Sequence, residues 1–180
     1  MARNETIETE ELREIYGFHE KYDVTLACAF EPDVDRGCER RFTFYDSIGK
    51  VVERLGKKAF LPHKHADLNW SPEKIVGIIN GIVIPTSDLV LAYIGINTTS
   101  GGVMLGKAIT SGIPVSYMYE DESCLNYLKS LIIIIDEAGR ERTVVREPGF
   151  RGNVYDLIQF DNDKDGLRKL ELSLKKFYNL

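Results

Sequence analysis

The chain has 180 residues and a formal net charge of −5, with 43% hydrophobic and 28% charged residues. This composition is that of an ordinary globular protein, long enough for one domain with a sizeable core. The acidic balance argues against a nucleic-acid polymer as partner, because binding to a phosphate backbone requires a basic surface. The longest aliphatic run, 131–135, is far shorter than the roughly 20 residues of a membrane span.

The cysteines and the N-terminal stretch indicate the cellular compartment in which the protein is expected. Cys28, Cys38 and Cys124 are an odd number and form no CxxC pair, which argues against a disulfide framework and a structural metal site. Residues at the N-terminus lack the apolar core of a signal peptide. We therefore expect a cytoplasmic protein with no membrane partner.

Residues 1–22 are predicted to form a helical extension ahead of the main domain. Leu12, Ile15 and Tyr16 fall on one face of a helix, and Thr9 precedes them as a candidate N-cap. His19 is expected on the surface. The remaining residues, 23–180, contain no repeats or low-complexity tracts and are predicted to form a single α/β domain.

Strand and helix patterns alternate through the first half of this domain. Residues 23–30 (DVTLACAF) and 58–61 are predicted strands, with an amphipathic helix over about 35–55 between them. A second helix begins at Ser71, Pro72 and Glu73, which combine an N-cap, a proline at the first helical position and an acid in the first turn. This order indicates β-α-β units of a parallel sheet.

The stretch 87–115 is the most informative part of the sequence. The apolar run 89–94 predicts a buried strand, a loop of Asn, Thr, Ser and Gly follows, and an apolar helical stripe then ends at Gly112 and Pro114. A further strand is expected over 114–119. Gly101 and Gly102 lie where the helix begins, and the positive end of the helix dipole favours an anion there. Glycines at such a junction also serve a tight turn.

Beyond residue 119 the pattern is looser. It predicts a short helix within 120–129, paired strands over 130–136 and 142–146, a last sheet strand over 153–160 and a closing helix around 167–177. The predicted fold is a three-layer α/β structure with an open, mainly parallel sheet of the flavodoxin or Rossmann type, an N-terminal helix and a small late β addition. Its ligand pocket is expected at the carboxyl ends of the first and third strands.

Polar residues around this edge are candidate ligand contacts, and each has a structural alternative. The hydroxyl groups of Thr98 and Ser100 suit a phosphate or a ribose, or they cap and solvate the loop. Arg36 or Arg40 suits a phosphate clamp, or these arginines belong to a solvated helix face. Asp33 and Asp35 are candidate catalytic carboxylates, although their spacing does not require that role.

The HKHAD segment and Cys28 are weaker candidates. His63, His65 and Asp67 have metal-binding side chains, but two histidines two residues apart in a loop form a poor preset site, and no metal or cofactor is expected. Cys28 has the chemistry of a nucleophile, but apolar neighbours raise the pKa of a thiol, which favours a buried structural role.

Several segments resemble the nucleoside 2-deoxyribosyltransferase family and its relatives that hydrolyse nucleotide N-glycosidic bonds. SDLVLA at 87–92, GVMLGKA at 102–108 and GIPV at 112–115 resemble the family's "sDlvva…GtgmELGyA…GkPV", and FLPH at 60–63 is similar to a segment common in the family. The likeness covers roughly 23–119, and the closing helix fits it. It implies an open α/β fold whose pocket binds a nucleoside or nucleotide.

The resemblance also identifies site positions, and the family's acids are missing from them. The family's nucleophilic glutamate corresponds to Met104, an acid that contacts the base corresponds to Asn80, and an acid of the glycine loop corresponds to about Thr98. The Gly-Pro that ends the family's first strand is replaced by Cys28 and Ala29. The expected ligand-binding residues are Phe30, Arg36, His63, Asn80, Thr98, Ser100, Gly101, Gly102 and Met104.

Three functions follow from this pattern. The first is a nucleoside- or nucleotide-binding protein, with N-glycosidic-bond hydrolase or transferase activity if other residues replace the acids that usually stabilise the oxocarbenium-like centre. The second is a non-catalytic sensor or scaffold that kept the fold. The third is a nucleotide phosphoribohydrolase of the lysine-decarboxylase-like type, whose arginine and glutamate are absent from 98–108. Related proteins pair subunits to complete the pocket, so a homodimer is expected.

Overall fold

The computed structural model describes residues 7–28, 38–67, 69–95, 99–121, 133–135, 141–143 and 154–180. Five of its strands form one sheet in the order β2-β1-β3-β4-β7, and every neighbouring pair is parallel. The strands are β1 (Val24–Ala27), β2 (Ala59–Phe60), β3 (Leu89–Tyr93), β4 (Val115–Tyr119) and β7 (Val154–Gln159). The predicted α/β fold with an open parallel sheet is therefore confirmed.

Helices precede, connect and follow these strands. They are α1 (Ile7–Tyr16), α2 (Cys38–Arg54), α3 (Pro62–His65), α4 (Pro72–Val76), α5 (Ile84–Thr86), α6 (Thr99–Thr110) and α7 (Asp163–Tyr178). A π-helical segment, π1 (Gly77–Val83), joins α4 to α5, so that residues 72–86 form one continuous rod. No helix in the described part of the chain is long and apolar enough to cross a membrane.

The central strands are buried on both faces, which explains their unbroken apolar runs. On one face, side chains of π1, α5 and α6 form an apolar cluster with the sheet, and residues of α1 pack against it. On the other face, α2 and α7 form a second cluster with the same strands. These two clusters make the molecule three layers deep.

The predicted capping residues are found at the ends of α4 and α6. The Ser71 side chain accepts a hydrogen bond from the backbone N–H of Lys74 at 3.3 Å, and Pro72 begins α4. Gly112 ends the turn after α6 with φ +67°, a conformation that side chains other than glycine rarely adopt. The backbone N–H of Ile113 then donates to the Ala108 carbonyl at 2.9 Å, which completes the stop.

The predicted N-terminal helix is present, but its predicted start is wrong. Because α1 begins at Ile7, Thr9 lies within the helix and does not cap it. The Thr9 side chain is buried and donates a hydrogen bond to the Gly81 carbonyl of π1 at 3.3 Å. The threonine thus helps to fix α1 on π1, where a wider helical turn alters the usual hydrogen-bond pattern.

Two glycines of π1 allow α1 to approach closely. A Cβ atom added at Gly77 would meet the Tyr16 ring at 2.5 Å, and one added at Gly81 would clash with Leu12. Leu12 and Tyr16 pack against the apolar cluster, as the predicted helical face requires. Ile15, assigned to the same face, is 70% exposed.

The late β addition is confirmed as a pair of short antiparallel strands. β5 (Ile133–Ile135) pairs with β6 (Glu141–Thr143), with Ile133 opposite Thr143. The predicted short helix within 120–129 lies almost entirely outside the described residues. The closing helix α7 begins after Asn162, whose side chain accepts a hydrogen bond from the Asp165 N–H at 3.1 Å.

Candidate functional site

The strand order creates a crevice between β1 and β3 at the carboxyl edge of the sheet. From β1 the chain passes through α2 on one face to β2, whereas from β3 it passes through α6 on the opposite face to β4. Such a reversal opens a cleft between the two strand ends, and ligands of open α/β sheets bind there. The sheet topology therefore has a switch point where the sequence predicted a pocket.

Much of the rim of this crevice lies outside the described residues. Segments 29–37 and 96–98, which follow β1 and β3, belong to the part of the chain that the structure does not describe. The roles predicted for the rim residues in these segments remain predictions. They are Phe30, Asp33, Asp35, Arg36 and Thr98.

The first turn of α6 brings Ser100, Gly101 and Gly102 to the carboxyl edge, because α6 begins shortly after β3 ends. Gly102 is exposed, and among the described residues no atom outside its own helix would lie within 4 Å of a Cβ atom added there. The first turn carries no acidic residue, so no charge of its own offsets the positive end of the helix dipole. This turn has the space and the polarity to receive an anion.

Met104 lies deeper, in the apolar interior. It is the sixth residue of α6, is only 2% exposed, and belongs to the cluster between α6 and the sheet. A thioether at this place fills core volume. The position at which the resemblance expects a catalytic acid is therefore occupied by a packing side chain that does not face solvent.

Asn80 lies on π1. The residue is partly exposed, but its Oδ1 atom is buried and has no hydrogen-bond partner among the described residues. A buried amide oxygen without a partner carries a free-energy cost, which a ligand that donates a hydrogen bond would relieve. The predicted contact between Asn80 and a base remains a prediction.

His63 lies in the short helix α3, which follows β2 after Leu61 and so begins at the same edge of the sheet. Its ring is 92% buried, stacks on Phe42 at 4.9 Å and 3°, and places Nε2 2.8 Å from Asp46 Oδ1. Burial alone would raise the pKa of Asp46, but hydrogen bonds from Lys64 and His63 hold it below its usual value. The His63 Nδ1 atom is buried and has no hydrogen-bond partner in the part of the chain that the structure describes.

The second histidine of the HKHAD segment, His65, is hydrogen-bonded to the backbone. His65 Nδ1 accepts a hydrogen bond from the Leu61 N–H at 2.8 Å, which requires the neutral imidazole with its proton on Nε2. Burial lowers the pKa of His65 and favours the same neutral form. Among the described residues no group of three or more His, Cys, Asp or Glu side chains is placed to hold a metal ion.

A polar cluster that the sequence did not suggest lies at the ends of β3 and β4. We call Arg41, Tyr93, Glu120 and Asp163 the Arg41 cluster. The Arg41 guanidinium grips both carboxylate oxygens of Glu120, with Nη1 to Oε1 at 2.6 Å and Nη2 to Oε2 at 3.0 Å. The Tyr93 hydroxyl donates to Glu120 Oε1 at 3.3 Å, and the Tyr93 ring lies 5.2 Å from the guanidinium carbon.

The cluster is negative overall. Asp163 Oδ1 lies 3.5 Å from Arg41 Nη1, so two carboxylates share one guanidinium and leave a formal charge of −1. Burial alone would lower the pKa of Arg41, but the Glu120 hydrogen bond and the nearby carboxylate charges raise it above its usual value. Arg41 therefore stays a cation at any ordinary pH and holds Glu120 in one orientation.

Sequence reasoning missed this cluster because its members are far apart in the chain and fit no motif. Glu120 lies 79 residues after Arg41 and 27 after Tyr93. One signal was present: Glu120 follows directly on the apolar run of β4, and polar residues at the carboxyl ends of parallel strands face the ligand edge.

Comparison with solved structures identifies relatives of the fold. The CMP N-glycosidase BcmB of Clostridium botulinum is similar with a TM-score of 0.57 and 16% identity, over 83% of this chain and 97% of that one. A conserved protein from Enterococcus faecalis V583 has a TM-score of 0.53 and 16% identity, over 85% and 99% of the two chains. No protein-family model and no curated protein sequence matches the chain. The chain thus has an N-glycosidase-like α/β fold.

Proposed function

We propose that this protein binds a nucleoside or a nucleoside 5′-monophosphate at the carboxyl edge of its sheet and hydrolyses the N-glycosidic bond with catalytic residues that differ from those of the family it resembles. The observation that carries the proposal is the fold shared with a CMP N-glycosidase over 97% of that enzyme's chain. The sequence resemblance to nucleoside 2-deoxyribosyltransferases, found from separate motifs, supports the same substrate class.

The first turn of α6 supports the phosphate part of the proposal. No described residue outside α6 would come within 4 Å of a Cβ atom added at Gly102, and the turn has no acidic residue to repel an anion. A phosphate that sits at this turn interacts favourably with the helix dipole. Ser100 and Thr98 are the hydroxyl-bearing residues that the sequence predicts as donors to this phosphate.

The direct test is product analysis. Purified protein is incubated with ribo- and deoxyribonucleosides and their monophosphates, and free base is measured by chromatography. We expect base release from at least one monophosphate, with ribose phosphate or deoxyribose phosphate as the other product. Absence of free base from a folded sample across the whole panel would contradict the hydrolase proposal.

A specific observation favours a second candidate, a non-catalytic nucleotide sensor. Met104 occupies the position of the family's nucleophile and is 2% exposed. A protein that binds nucleotides without cleaving them should show a higher melting temperature in millimolar nucleoside monophosphate, because a ligand that binds only the folded state stabilises it. A melting shift without base release would favour this candidate over the hydrolase.

The expected homodimer also remains a proposal, since it rests on the family resemblance alone. Light scattering of the purified protein measures the mass directly. A mass of one 20.4 kDa chain would remove this expectation.

A further inference from the structure

We propose that Glu120 is the catalytic carboxylate of this protein and replaces the acid absent from position 104. The inference rests on the proposed N-glycosidase function, but it is carried by the geometry of the Arg41 cluster. That cluster lies at the ligand edge of the sheet and includes no residue of the motifs from which the function was argued.

The strand register places Glu120 beside the glycine loop. Tyr93, the last residue of β3, is opposite Met118 of β4, so Glu120 lies level with Gly95, where the chain leaves β3. Gly95 has no side chain to intervene, and an added Cβ atom would clash with the Tyr93 hydroxyl. The absence of a side chain at Gly95 thereby allows the Tyr93 hydroxyl to reach Glu120.

The carboxylate is held firmly and remains accessible. Arg41 contacts both of its oxygens and Tyr93 contacts one, yet 36% of the Glu120 side chain is exposed. Met104, in contrast, is 2% exposed. A catalytic carboxylate must be both oriented and accessible, and Glu120 is oriented by Arg41 and Tyr93 and partly exposed to solvent.

The negative charge of the Arg41 cluster determines which part of a nucleotide can lie close to it. A formal charge of −1 repels a phosphate and attracts the positive charge that develops on the sugar as the N-glycosidic bond breaks. The sugar would then lie toward the ends of β3 and β4, and the phosphate toward the first turn of α6. The two groups of a nucleoside monophosphate fit two regions of opposite electrostatic character.

The reaction balances with one carboxylate. The C1′–N bond breaks, its electron pair leaves with the base, and the base takes up one proton from solvent or from the carboxyl group that Glu120 becomes. A water molecule adds to C1′, and Glu120 accepts the proton that the water loses. This proton then passes to the base or to solvent, so that water and nucleotide become free base and sugar phosphate.

The test compares two arginine-bound glutamates. Glu120→Gln is compared with Glu171→Gln, because Glu171 also pairs with an arginine of α2, Arg54, and its side chain is 32% exposed. Base release from nucleoside monophosphates is measured alongside the melting shift that the same ligands produce. We expect Glu120→Gln to lose about 10²- to 10⁴-fold in the rate of base release and to retain the melting shift, while Glu171→Gln behaves as wild type.

A chemical rescue separates catalysis from structure, because Glu120→Gln also disturbs Arg41. Sodium formate added to Glu120→Ala supplies a small carboxylate in the vacated space, and we expect it to restore part of the base release. Wild-type rates in Glu120→Gln, or an Ala variant that folds but does not respond to formate, would overturn the role of Glu120 alone. Absence of base release from the wild-type protein would overturn the hydrolase proposal together with this inference.

Discussion

Substitution of Gly102 by alanine tests whether the first turn of α6 receives a phosphate. Gly102→Ala adds one methyl group at an exposed helical position, and no described residue outside α6 comes within 4 Å of that group. Gly106→Ala is a matched control, because Gly106 lies one turn further along α6, is exposed, and also has open space around its Cβ position. Neither glycine has a positive φ, so alanine fits both backbones.

The two variants should be alike in stability and differ in binding. Alanine is favoured over glycine within a helix by up to about 1 kcal/mol, so each variant should melt at the wild-type temperature or a few degrees above it. In Gly102→Ala the methyl group occupies the space into which a phosphate oxygen would come. We expect its Kd for a nucleoside monophosphate to rise at least tenfold, or about 1.4 kcal/mol, while Gly106→Ala binds as wild type.

Calorimetric titration with nucleosides and with their monophosphates gives the result. The effect of Gly102→Ala should be confined to the phosphorylated ligands, since a nucleoside has no phosphate to displace. Equal monophosphate affinities for the two alanine variants would refute the placement of the phosphate at this turn. A similar loss for nucleosides would show instead that the sugar or base occupies it.

Three further predictions concern stability. Met104→Glu should lower the free energy of unfolding by at least about 3 kcal/mol because it buries a carboxylate, whereas Met104→Leu should cost under about 1.5 kcal/mol; urea titration measures both. Gly77→Ala should cost about 1–3 kcal/mol, because its methyl group meets the Tyr16 ring, and amide exchange should show a weakened α1. Lowering the pH below about 6.5 should destabilise the protein, because burial lowers the pKa of His65 in the folded state and the unfolded chain therefore takes up the proton first. His65→Gln should flatten this dependence of stability on pH. An NMR titration measures the pKa of His65 directly.

The fold was predictable because its signals are local and agree with one another. The apolar runs of β1, β3 and β4 are buried on both faces, and the Ser71 cap and the Gly112 stop depend only on their own turns. The start of α1 was predicted wrongly because a threonine side chain can either cap a helix or hydrogen-bond to another element. Thr9 donates to a carbonyl of π1, 72 residues away in the chain, and no local pattern reveals such a contact.

The candidate site was less predictable, because it depends on side-chain placement. The π-helical segment is one cause, because its wider turn changes the direction of every side chain that follows. The spacing of an ordinary α-helix therefore could not predict the direction in which the Asn80 side chain points. Met104 is another, since the sequence identifies a missing acid but not that the remaining side chain is buried. Arg41 and Glu120 meet only through the tertiary fold.

Positions 104 and 120 lie on opposite faces of the sheet. Catalysis by an acid at position 104 and catalysis by Glu120 would therefore take place on different sides of the molecule. Met104 packs in the cluster beneath α6, while Glu120 is held by Arg41 from α2, on the other side. An acid introduced at position 104 would approach a bound sugar from the α6 side and could not use the Arg41 cluster. Base release that depends on Glu120 and is unaffected by Met104→Leu would therefore mean that the chemistry takes place on the α2 side, whereas nucleotide binding without release in any variant would mean that the fold has been kept for recognition.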